Sequence, residues 1–118
     1  MNDMKISINN LLVIDELDVH DGKLGEIKCD YINHEVWIPI ELDSSKKRKI
    51  KAVMKFSHVK RFLMEIFEPW GAGIYVSQVK YNSFKEVDND ICFEVTILLN
   101  SGDVLKIVSE QIEYSEVV

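Results

Sequence analysis

Three consecutive segments alternate apolar and polar residues with a period of two, and this pattern is the strongest constraint on the fold. The segments read GEIKCDYI (25–32), EVWIPIEL (35–42) and KIKAVMKF (49–56). Such alternation is typical of strands with one buried and one solvated face. The connections between the segments are short and polar, which favours turns. The sequence therefore predicts a three-stranded antiparallel meander.

One register of this meander is predicted to satisfy both of its faces. It assumes a two-residue turn at Asn33 and His34 and a loop over 43–47. The predicted pairs are Tyr31–Val36, Cys29–Ile38, Ile27–Ile40, Ile40–Ile50, Ile38–Ala52 and Val36–Met54 on the apolar face, and Glu41–Lys49 and Glu35–Lys55 on the polar face. Pro39 is discordant, because a proline in a central strand removes a hydrogen bond of the ladder. We expect either a bulge there or a neighbouring strand that stops short.

A second alternating block, residues 90–114, predicts a hairpin. Asn100, Ser101 and Gly102 suit a three-residue loop with the glycine in the left-handed conformation. This loop places Ile97 opposite Leu105, and Val95 opposite Ile107. The alternation slips near Ser109, which predicts a bulge or a bend at that point.

The segment between the two blocks, residues 57–68, fits helical and strand periodicity about equally, so both alternatives stay open. A short N-terminal helix is expected around residues 8–15. Together these elements predict a mainly β fold (a β-rich α+β class). We expect an antiparallel sandwich or strongly curved sheet of about 6–7 strands, with one or two short helices.

Length and composition favour one soluble domain that covers residues 1–118. A chain of 118 residues with 47% hydrophobic residues can bury a core without disulfides or metals. Cys29 and Cys92 lie in predicted strands without metal-ligand spacing, and we interpret them as reduced thiols. The N-terminal apolar run 11–14 is too short for a signal-peptide core or a membrane span. We therefore expect a cytoplasmic location and no membrane partner.

Positive charge is concentrated in residues 44–61. This segment holds eight of the 14 Lys and Arg residues and none of the 20 Asp and Glu residues. The net charge of −6 opposes attraction to phosphate, so nucleic acid is not an expected partner. An alternative function is binding of a small ligand or anion by the basic segment 46–61. The residues proposed for it are Lys47, Lys49, Lys51, Lys60 and Arg61.

No motif for catalysis or cofactor binding is present in the sequence. Nucleotide-binding, serine-hydrolase, zinc-protease and CxxC patterns are all missing. The acidic stretch DELDVHDG (15–22) supplies a weaker alternative, a metal site at Asp18, His20 and Asp21. Its other interpretation is a polar turn that leads into the first strand of the meander. We therefore expect no enzymatic activity and no cofactor.

The candidate partner-binding residues are Trp37, Trp70, Gly71 and Gly73. The predicted register places Trp37 on the polar face, where it is covered either by another segment, such as 57–70, or by a partner. Trp70 lies in FEPWGAGIYV (67–76), where a proline precedes it and Gly71 and Gly73 follow. This backbone turns sharply, and the tryptophan either closes an edge of the core or is offered to a partner.

Three short motifs resemble those of a group of small bacterial proteins. They are His20-Asp21-Gly22-x-Leu24, the segment Phe56 to Val59, and the segment Trp70 to Gly73. The group consists of β-rich proteins, some of them similar to immunity proteins that are encoded beside toxins. The resemblance spans roughly residues 20–76 and implies a non-enzymatic bacterial protein that binds and neutralises another protein.

The leading hypothesis is therefore a protein-binding module of bacterial immunity type. Its acidity would complement a basic partner such as a toxin domain. The expected partner is another protein, or a second copy of the chain in a homo-oligomer with a structural role.

Overall fold

The computed structural model describes residues 3–43, 49–85 and 91–117. These residues form ten strands and one 3-10 helix. In chain order they are β1 (Asp3–Ile6), the 3-10 helix (Ile8–Glu16), β2 (Lys23–Leu24), β3 (Lys28–Asp30), β4 (Glu35–Asp43), β5 (Lys49–Ser57), β6 (Arg61–Met64), β7 (Val76–Lys85), β8 (Ile91–Leu99), β9 (Val104–Ser109) and β10 (Gln111–Val117). None of the helices in this part of the chain has the length and hydrophobicity needed to cross a membrane.

The strands form two antiparallel sheets. The first has the order β1-β10-β5-β4-β2, with β3 also paired to β4, and the second has the order β6-β9-β8-β7. This confirms the predicted mainly β fold. The structure has more strands than the 6–7 expected, because β1, β2 and β3 are short and because bends divide two longer extended segments.

These two bends carry the chain from one sheet to the other. At Glu110 the chain leaves β9 and enters β10, which confirms the break predicted near Ser109. The second bend, at 58–60, separates β5 from β6. Of the two alternatives for the segment 57–68, the strand is the one formed, over residues 61–64. These residues are a strand because β9 supplies partners for their backbone hydrogen bonds. Phe62 packs against the core and Leu63 is exposed, as alternation requires.

The predicted registers between β3 and β4 and between β4 and β5 are wrong by two residues, and Leu24 instead of Ile27 lies opposite Ile40. Cys29 lies opposite Val36, because the turn contains the four residues 31–34 and is stabilised by hydrogen bonds from Asn33 to the Asp30 carboxylate. Ile38 lies opposite Met54. A shift of two residues keeps every side chain on its original face, so alternation cannot detect it.

The predicted charge pairs and the proline effect are both present. Lys55 and Glu35 form a salt bridge of 3.3 Å, as diagonal neighbours on adjacent strands.

The neighbour of β4 is divided at Pro39 into β2, which pairs with residues 40–41, and β3, which pairs with residues 35–37. One of the two expected solutions, a neighbouring strand that stops short, is therefore the one adopted.

The hairpin formed by β8 and β9 has the predicted register. Ile97 pairs with Leu105, and Gly102 has a φ of 91°.

The expected N-terminal helix is also present. Its first turn is capped by Ser7, and the Tyr81 hydroxyl donates a hydrogen bond to Asp15 at the other end.

The core lies between the two sheets. Its largest fully buried side chains include Phe56, Phe93, Ile38, Met54, Ile97, Leu105, Ile107 and Ile112. Cys29 is exposed and Cys92 is buried, and the two do not form a disulfide with each other.

Candidate protein-binding surface

The chain between β6 and β7 is held against the turn of the β8–β9 hairpin by one carboxylate. Asp103 is buried and accepts hydrogen bonds from the backbone N–H of Phe67 at 2.8 Å and of Glu68 at 2.9 Å. It also accepts from the Ser101 hydroxyl at 3.2 Å. Desolvation raises the pKa of Asp103, but these three hydrogen bonds outweigh it, and the pKa lies below its ordinary value.

The glycines of this loop allow it to approach the hairpin closely. A Cβ on Gly73 would lie 2.1 Å from the Asn100 side-chain oxygen. Asn100 forms two hydrogen bonds with Tyr75, one through its backbone N–H and one through its side-chain oxygen. Gly71 has a φ of 100°, a left-handed conformation that suits glycine. Hydrogen bonds to Asp103 and Asn100 therefore hold the loop in this shape, which the two glycines permit.

The loop carries three large apolar side chains into solvent. Ile66 is 76% exposed, Phe67 is 80% exposed and Trp70 is 69% exposed. The backbone N–H of Trp70 donates to the Ser101 carbonyl at 2.9 Å, and a Cβ on Gly102 would lie 2.8 Å from the indole ring. We call Ile66, Phe67 and Trp70 the loop surface. Of the two alternatives for Trp70, the structure shows an exposed ring on a rigid support.

Trp37 lies in the other sheet and is not part of the loop surface. It occupies the outer face of β4, where it is half-buried. Two lysine amino groups cover its ring, Lys28 at 5.0 Å and Lys55 at 5.7 Å from the ring centre. Cation–π contacts of this kind stabilise an aromatic ring on a polar face. Lysines of the two neighbouring strands therefore lie over the Trp37 ring.

The basic residues proposed for anion binding are spread over β5, the bend after it and the start of β6 in the other sheet. Lys49 pairs with Glu41 at 3.6 Å, and Lys60 pairs with Glu110 at 3.3 Å. Lys51 is exposed at the same end of β5 as Lys49, and Arg61 is exposed at the start of β6. The six residues between Lys51 and the end of β5 span about 20 Å. Lys47 lies outside the described residues.

The charged side chains of the acidic stretch are exposed, at the end of the 3-10 helix and in the turn that follows it. His20 and Asp21 lie 3.1 Å apart, and Asp18 is also exposed. Asp21 has a φ of 63°, as turn residues often have. Within residues 3–43, 49–85 and 91–117, no group of three or more His, Cys, Asp or Glu side chains is placed to hold a metal ion.

Sequence reasoning missed Ile66, Phe67 and Asp103. A helix over 57–68 would have placed Ile66 and Phe67 together on one apolar face, whereas a strand places them on opposite faces. With both alternatives open, nothing in the sequence indicated that the two side chains are exposed together. Asp103 directly follows the predicted hairpin loop, a position where an aspartate commonly accepts backbone hydrogen bonds.

No protein-family model matches this sequence, and no curated protein matches it.

Proposed function

We propose that this protein is a non-enzymatic protein-binding module and that the loop surface contacts its partner. The observation that supports the proposal is the exposure of Ile66, Phe67 and Trp70 together on a loop of fixed shape. Covering these side chains would remove apolar area from water. A loop that is already ordered also loses little conformational entropy on binding.

Of the three side chains of the loop surface, Trp70 would contribute most to the binding energy. Trp is enriched among the few interface residues that supply most binding energy. The backbone N–H of Trp70 is hydrogen-bonded to the Ser101 carbonyl, and its indole ring packs against the backbone of Gly102. An exposed tryptophan without such contacts would lose side-chain freedom on binding, and this loss would weaken the binding.

The charge of the chain supports a basic partner. The net charge is −6, and complementary charge accelerates association and aids selection of the partner. Together with the resemblance to immunity-type proteins, this leads us to propose a bacterial, cytoplasmic inhibitor that blocks a basic toxin domain by covering it. No separate observation favours binding of anions by the basic segment.

Trp70→Ala is expected to weaken partner binding by more than about 1 kcal/mol, the usual threshold for an important interface residue. The tagged protein would be expressed in its native host, and captured proteins compared at low and at physiological salt. The dissociation constant of the captured partner is then measured by calorimetry for the wild type and the variant. Circular dichroism should show that the variant remains folded.

Leu12→Ala is the matched control for this experiment. Leu12 is also a large exposed apolar residue, but it lies on the 3-10 helix, which contacts β1, β7 and β8. The control should bind as the wild type does. Equal affinity of the Trp70 variant and the wild type would disprove the role of the loop surface.

A further inference from the structure

One edge of the second sheet is open at β6. Within the described residues, β6 pairs with β9 alone. Glu65 continues this ladder, because its N–H donates to the Val104 carbonyl at 3.1 Å. Backbone groups alternate in direction along a strand, so the N–H and C=O groups of Phe62 and Met64 point away from β9. Such an edge is a template for another strand.

The side chains of this edge are more apolar than those of most free edges. Leu63 and Met64 are both exposed. Natural proteins usually protect a free edge with charges, prolines or a covering segment. Here the charges are Arg61 and Glu65, two residues before and two residues after Leu63.

We propose that β6 pairs antiparallel with β6 of a second copy of this chain, about a two-fold axis at Leu63. This register places Phe62 opposite Met64 of the second copy. The outward backbone groups of these two residues then form the hydrogen-bonded pairs of the new ladder. Leu63 lies opposite its own counterpart in a position without hydrogen bonds, where facing side chains approach most closely.

The same register makes the charges self-complementary. Arg61 lies opposite Glu65 of the second copy, and the two-fold axis generates this pair twice. Moving the axis by one residue in either direction places Arg61 or Glu65 opposite Leu63 instead, and the charge pairs are lost. The agreement between hydrogen-bond direction and charge favours a second copy over an unrelated strand.

This pairing does not depend on the partner of the loop surface. Ile66, Phe67 and Trp70 follow β6 in the chain, so the dimer would carry two loop surfaces. Dimerisation is a property of the purified chain, and its test requires no other protein. Failure of this inference and failure of the proposed function are therefore separate results.

The test is the mass of the purified protein in sedimentation velocity over a range of concentrations. The wild type should sediment as two chains. Arg61→Glu and Glu65→Arg should each raise the dimer Kd by about tenfold or more, because each places like charges opposite each other twice. The double variant reverses both charges and should recover the affinity of the wild type. Lys80→Glu, an equal charge change on β7, should have little effect.

Met64→Pro tests the backbone contact separately. The substitution removes an N–H that points away from β9, a position in which an edge strand tolerates proline. We expect a folded protein, by circular dichroism, that sediments as one chain. The proposal is wrong if the wild type is monomeric at all accessible concentrations. It is also wrong if Arg61→Glu has no effect on Kd, or if folded Met64→Pro remains a dimer.

Discussion

Phe56→Ala is expected to lower the free energy of unfolding by about 3–5 kcal/mol. Phe56 is completely buried and lies between Val36 on β4 and Ile112 on β10. Its removal loses the transfer energy of the ring and leaves a cavity that neighbouring strands cannot fill. Because small domains are stable by only about 5–15 kcal/mol, this is a large share of the total.

Phe67→Ala is the control that makes this measurement specific. It is the same chemical change at a side chain that is 80% exposed, and it should cost less than about 0.5 kcal/mol. Both variants would be unfolded with urea at one fixed protein concentration and followed by circular dichroism. Equal destabilisation of the two would contradict the assignment of Phe56 to the core and Phe67 to the surface.

Asp103→Asn should weaken the attachment of the loop surface to the hairpin at Phe67 and Glu68. An amide has nearly the shape of the carboxylate, but it lacks the charge and one acceptor oxygen. Its NH₂ group would face the N–H donors of Phe67 or Glu68. We expect a melting temperature lower by about 5 °C and faster hydrogen exchange at those two amides.

The effect of Asp103 depends on pH in a defined direction. Its pKa in the folded protein lies below the ordinary value of 3.8, because the carboxylate accepts hydrogen bonds from Phe67, Glu68 and Ser101. The stabilisation is therefore complete above pH 3.8 and is lost as the pH falls through the folded-state pKa. The difference in free energy of unfolding between the wild type and Asp103→Asn should therefore become smaller as the pH falls below 3.8.

Asp30→Asn is the control for Asp103. Hydrogen bonds from the Asn33 side chain and backbone lower the pKa of Asp30 as well, but this carboxylate stabilises an exposed turn. Its substitution should lower the melting temperature by less than about 2 °C. If both variants melt at the same temperature, Asp103 does not hold the loop.

Much of the fold was predictable because its determinants are local. The period-two alternation identified β4, β5, β8 and β9, and the loop Asn100-Ser101-Gly102 fixed the register of its hairpin. Pro39 correctly indicated an interruption in the neighbouring strand. The meander registers were wrong because a shift of two residues leaves the same side chains on the same face.

The candidate surface was only partly predictable. Trp70 was identified from the unusual backbone around it, but its exposure depends on the distant contacts of Asp103 and Gly102. The segment around Leu63 is a strand because β9 lies beside it, although its own sequence fits a helix equally well. Local propensity is weaker than the hydrogen bonds that a neighbouring strand offers.

By itself, the sequence determined the β class, the inward faces of β4, β5, β8 and β9 and the main turns, because alternation, proline and glycine act within a few residues. Tertiary structure alone decided that residues 61–64 are an edge strand, that Trp37 is covered by lysines and that Trp70 is exposed. Each of these depends on which strands become neighbours. Neighbours far apart in the chain are chosen by the packing of the whole core.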